Sequence, residues 1–90
     1  MLPLPAQLIH NTAVPSLLSL KAGLTGQTDA CVVADASALA EFDSSALAVL
    51  LALRREVLAA GKTFSVQGLP GRLRVLAGLY GVEGLLPASA

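Results

Sequence analysis

Four groups of residues carry side chains that could do chemistry. Gly61-Lys62-Thr63 resembles the end of a phosphate-binding loop. The position five before Gly61 is Glu56, however, and the triplet leaves a helix to enter a strand, whereas phosphates sit at the N-terminus of a following helix. An ordinary helix-to-strand turn is the better reading. His10 and Cys31 could form a nucleophilic pair, but Cys31 falls mid-strand in apolar company, where a thiol behaves as a small hydrophobe. His10 is then a surface or satisfied polar residue. Asp35 and Asp43 invite a paired-carboxylate, acid-base role. Their places at a strand end and a helix start instead favour capping of free backbone N–H groups. With Asp29 and Glu41 they leave a locally acidic edge, which reads as a solvated face.

The elements that position these residues follow from pattern. Apolar residues make up 54% of 90 and charged residues 13%, with six Lys or Arg against six Asp or Glu. Such a chain folds, as one domain spanning 1–90, and its +0 formal charge points to no nucleic-acid partner. One cysteine and one histidine exclude a disulfide framework and are too few soft ligands for zinc, so no metal or other cofactor is expected. No secretion signal is read at the N-terminus, and the longest apolar-rich run, Ser44 to Leu53, is about half of the roughly 20 residues a spanning helix needs, so no membrane insertion is expected.

Leu2 to Ile9 reads as a proline-interrupted edge strand. A helix follows from Asn11 or Thr12, with the apolar positions Val14, Leu17, Leu18 and Leu24 fitting one helical face. Gly26 to Asp29 is a turn, and Ala30 to Ala34 a buried strand. Asp43 or Ser44 caps the strongest helix, Ser45 to Ala60, which stops at Gly61. Thr63 to Gln67 is a strand, and Pro70 opens a last helix with Leu73, Leu76, Leu79 and Tyr80 on one face, ending at Gly81. Strands alternating with helices make the class α/β, a small, mostly parallel sheet of about four strands with helices packed on it. The helix after Asp43 is apolar nearly all round through Ala46, Ala48, Val49, Ala52 and Leu53, so an outer face left open would meet a partner.

Val32-Val33-Ala34-Asp35, the segment Phe42 to Leu51 and the segment Gly61 to Leu69 together resemble a STAS domain, the family of anti-sigma-factor antagonists and transporter-associated regulators. The resemblance covers about Leu4 to Pro87, with the family's first strand missing or fused into Leu2 to Ile9. The ending, Val66 to Leu69 and Leu76 to Pro87, looks closest to the cytoplasmic STAS subunits of the Mla phospholipid ABC transporters. It implies a small sheet backed by helices, no catalysis, and docking onto the transporter's ATPase subunit, which is complexed with a membrane permease at the inner membrane. The hydroxyl that matters in those subunits falls at Ser44, and the phosphorylated serine of the sigma-factor pathway at Ser45; Ala46 stands where both groups often have glycine. The expected contact surface is Ser44, Ser45, Ala46, Ala48, Val49, Arg72 and Tyr80. The competing class is an anti-sigma-factor antagonist switched by phosphorylation of Ser45. The C-terminal pattern and the apolar helix favour transport, because a permanent complex tolerates more hydrophobic exposure on its free subunit.

Overall fold

The computed structural model describes residues 2–26 and 28–88. Two long-range parallel strands form its centre, β3 (Cys31–Asp35) and β5 (Thr63–Gln67), in register from Cys31 opposite Thr63 to Asp35 opposite Gln67. Period-two alternation turns Val32, Ala34, Phe64 and Val66 into the core. Cys31, Val33, Thr63, Ser65 and Gln67 lie on the other side, exposed or half-buried. The run at Ala30 to Ala34 is therefore covered on one face only, and Cys31 is an exposed thiol instead of a buried hydrophobe.

The N-terminal segment, expected as one strand, is two. β1 (Leu2–Pro3) pairs with β3 at the sheet edge, and β2 (Gln7–Leu8) pairs with β4 (Glu41–Phe42) in a separate two-stranded sheet. Pro3 and Pro5 lack the N–H groups that would continue a ladder, so the chain steps from one partner to the other, with Ala6 accepting from the N–H groups of Ala40 (2.8 Å) and Glu41 (3.0 Å). All pairings among these five short strands are parallel, giving an α/β fold with three helices.

α1 (Ala13–Leu24) has Thr12 at its N-cap position, yet the Thr12 hydroxyl turns backward and accepts from Ile9 N–H at 3.0 Å. Its buried line is Leu20, with Ala13, Leu17 and Leu24 half-buried against the core. Val14 and Leu18, expected on one face with Leu17 and Leu24, are 67% and 63% exposed. The turn read at Gly26 to Asp29 contains Gln27, which lies outside the described residues. α2 (Ser44–Ala59) packs on α1, β5 and α3 (Gly71–Leu79). That sandwich explains its nearly continuous apolar sequence: Ala46, Leu47, Val49, Leu50, Leu53 and Val57 are all buried, while Leu58 projects. After α2, Gly61 at φ 77° reverses the chain, its N–H bonded to Leu58 O (3.0 Å) and that of Lys62 to Val57 O (3.1 Å). On α3 the core side is Leu73 and Ala77, whereas Leu79 and Tyr80, expected beside Leu73, are exposed. A 3₁₀ turn, Glu83–Leu85, then brings Leu86 into the core and Ala88 alongside Val66. No described helix is long and apolar enough to cross a membrane.

Gly68, between β5 and α3, combines two constraints: φ is 69°, and a Cβ would stand 3.2 Å from the backbone of Ser37. Gly68→Ala is expected to cost about 1–3 kcal/mol. Gly71, in the first turn of α3 with open space around it, is the control. Gly71→Ala should be neutral or stabilise by up to about 1 kcal/mol. Urea midpoints of the two variants check both outcomes; equal destabilisation would contradict this account.

Candidate partner-binding site

The start of α2 organises the site. Asp43 has extended backbone (φ −133°, ψ −165°) and caps the helix through its side chain, Oδ1 accepting from Ser45 N–H at 2.8 Å. Oδ2 accepts from His10 N–H at 3.1 Å, tying the turn before α1 to the start of α2. The Ser45 N–H, and after it the His10 N–H, hold the Asp43 carboxyl below its usual 3.8. With Asp43 as the cap, Ser44 becomes the first helical residue. It is exposed and its hydroxyl has no hydrogen bond among the described residues. Ser45 is half-buried, and its hydroxyl interacts with the Asp43 carboxylate.

Ser44 and Ala48 open onto a cavity of about 410 Å³ lined also by Leu47, Leu51, Tyr80 and Val82. Tyr80 ends α3 and is 61% exposed. The chain reverses directly after it, Gly81 N–H bonding Gly78 O (3.1 Å) and Val82 N–H bonding Ala77 O (3.0 Å), and this reversal swings Val82 into the cavity wall. Three residues expected at the surface, Ser44, Ala48 and Tyr80, therefore converge. Ala46 and Val49 do not join them: at 0% and 2% exposure they point into the chain's own core and offer nothing to a partner. Arg72 is exposed at the other end of α3, its guanidinium 5.9 Å from the centroid of Phe42, just before the Asp43 cap. Leu47, Leu51 and Val82 were missed by sequence reasoning. The Ser44, Ala48, Leu51 spacing and the Gly81 reversal were the signals that could have found them.

The other chemistries do not assemble. The Asp35 carboxylate is occupied by Ser37, whose hydroxyl and then whose N–H (3.0 Å to Oδ1) lower its pKa. No hydrogen bond joins His10 to Cys31, and no cluster of three His, Cys, Asp or Glu residues suited to a metal occurs, among the described residues. Gly61-Lys62-Thr63 is the exit of α2 into β5, not a phosphate loop. A second cavity, of about 460 Å³, lies between α1 and the Pro3–Pro5 segment and is lined by no ionisable side chain.

Because the folded Asp43 pKa lies below its unfolded value, the capping charge stabilises the fold above about pH 4 and that contribution is lost as pH falls through the lowered folded pKa. Asp43→Asn keeps an acceptor at the cap and is expected to lower Tm less than Asp43→Ala. Thermal melts from pH 7 to pH 2 should show a shallower acid decline for Asp43→Asn than for wild type. Parallel curves would mean that this carboxylate does not couple folding to pH.

Two comparisons with known proteins complete the description. No curated protein matches the chain. The family model described as "Mlab, STAS domain" matches residues 11–87, which include all three helices, three of the five strands and every residue lining the cavity between α2 and α3. The match covers most of the chain and agrees with its parallel α/β architecture: the chain belongs to the STAS domain family, of the MlaB type.

Proposed function

We propose that this chain is a non-catalytic subunit that docks through the groove between α2 and α3 onto the ATPase of a phospholipid-transporting ABC complex, stabilising the complex and controlling its turnover. Its place is then the cytoplasmic side of the inner membrane, held there by the ATPase and permease, in a system maintaining outer-membrane lipid asymmetry. The observation that carries this reading is the convergence of Ser44, Ala48 and Tyr80 on one apolar groove at the part of α2 where the family resemblance lies. An exposed tyrosine beside a small, apolar floor is a typical anchor for a protein partner. Control of hydrolysis would come from differential binding, since a subunit that grips one state of the ATPase more tightly shifts the population toward it.

The phosphorylation-switch alternative centres on Ser45. Its hydroxyl already interacts with the Asp43 carboxylate, so a phosphoryl group there would set like charges together and disturb the cap. Ser44, free of such a neighbour contact, suits a constant contact better.

Tyr80→Ala is expected to weaken binding to the ATPase subunit at least tenfold with Tm nearly unchanged, because the ring is mostly outside the core. Ser44→Glu should also weaken binding while leaving the fold intact, since an acidic side chain suits the first turn of a helix. Reconstituting the transporter with wild type, with each variant and without the chain, and following ATP hydrolysis and complex stability together, tests the proposal. Unchanged turnover and assembly on omission would refute it, and phosphorylation of Ser45 by a kinase-like anti-sigma factor would establish the alternative.

A further inference from the structure

Five residues of α2, Ser44, Ala48, Leu51, Arg55 and Leu58, follow one another at intervals of four, three, four and three. That spacing places them in a single line along the helix, about 21 Å long at 1.5 Å per residue. Ser44, Ala48 and Arg55 are exposed, Leu51 is half-buried and Leu58 is 43% exposed, while Ala46, Leu47, Val49, Leu50, Leu53 and Val57 are buried where the helix packs on α1, β5 and α3. Tyr80 and Val82 line one cavity with its first three members, Ser44, Ala48 and Leu51. The groove between α2 and α3 is thus the N-terminal half of a longer track.

Charge is distributed unevenly along it. Glu41 and Asp43 stand beside the Ser44 end, and Arg55 sits between Leu51 and Leu58. Arg55 makes no ion pair among the described residues, so no carboxylate of theirs neutralises it. Exposed to water, the guanidinium is stable. Anything that covers Leu51 and Leu58 together must also cover Arg55, and an unpaired charge removed from water is costly. The occupant must therefore bring its own carboxylate. It must also bring its own closed backbone hydrogen bonding, because the backbone groups of α2 between its ends are bonded within the helix and offer no edge to a strand.

Resting on the docking reading above, the geometry points to a partner element of defined chemistry: an amphipathic helix of the ATPase subunit, lying along α2 from Ser44 to Leu58, with apolar side chains over Ala48, Leu51 and Leu58 and an Asp or Glu opposite Arg55. Arg55 is then the specificity residue of the interface, and the Ala48–Tyr80 groove its apolar anchor.

The test measures binding of wild type, Arg55→Glu and Ala48→Glu to the purified ATPase subunit by calorimetry, with Tm recorded for each variant. Arg55→Glu is expected to weaken binding about tenfold at unchanged Tm, and reversing one helical carboxylate of the ATPase subunit to Lys should restore it. Ala48→Glu should weaken binding whatever charge lies opposite Arg55. Loss with Ala48→Glu but not with Arg55→Glu overturns the acidic helix and leaves groove docking standing. Loss with Arg55→Glu that no carboxylate reversal restores also overturns it. Full binding by both variants overturns groove docking itself, and loss with Arg55→Glu alone overturns a helix lying along the whole line.

Discussion

Two backbone N–H groups compete for nothing and share one carboxylate: Asp43 accepts from Ser45 within α2 and from His10 across the fold, and the position of nearly everything else follows from that pair of bonds. The β2–β4 pairing is only two residues long on each side and would be marginal alone. Asp43 closes it, by its side chain to His10 and by its own N–H to Leu8 O at 3.3 Å. The same residue decides that α2 starts at Ser44, and so which of its side chains face α1, the sheet and the groove. A cap is often treated as an end effect, but here it sets the rotational phase of the central helix.

Local chemistry was legible in the sequence wherever a residue type permits few conformations. Asp43 as a cap, Gly61 as an exit and β5 over Thr63 to Gln67 could each be read from the residues themselves. Helix faces were harder. α1 and α3 carry apolar side chains on more than one side, so periodicity alone could not choose between Leu18 and Leu20, or between Leu79 and Ala77; the choice is made by what each helix packs against. Cys31 was misplaced for a related reason. A continuous apolar run reads as buried on both faces, yet this sheet is covered on one, where Val32 and Ala34 lie. Part of the candidate site was legible as well, through Ser44, Ala48 and Tyr80, while Ala46 and Val49 were drawn into it by an all-round apolar pattern that in fact reflects the tight sandwich around α2.

The surplus of apolar residues is consequently spread over the surface in separate places. Val14 and Leu18 project from α1, Val75 and Leu79 from α3, and Leu58 from the far end of α2. Scattered singly or in pairs, such residues are ordinary on a small domain. What distinguishes the groove beside α2 is concavity together with a serine hydroxyl and an aromatic ring in its lining.

The pairing order of the strands also bears on how the chain acquires its shape. β1 pairs with β3, and β2 with β4, so each of the first two strands has its partner on the far side of α1 in the sequence. β3, α2 and β5 form a contiguous unit that can close on itself. During synthesis Leu2 to Leu8 emerges well before any strand it can join, while the loop-closure costs of the three pairings are alike, since Leu2 to Ala34 and Cys31 to Thr63 are equally far apart in sequence and Gln7 to Glu41 hardly farther. What differs is the length of the ladders: β3 and β5 pair over five residues and each of the other pairs over two, so the β3–α2–β5 unit is the expected nucleus, with β1 and β2 docking late. Leu4 and Leu8, buried in the folded chain, are then expected to stay exposed until that docking is complete.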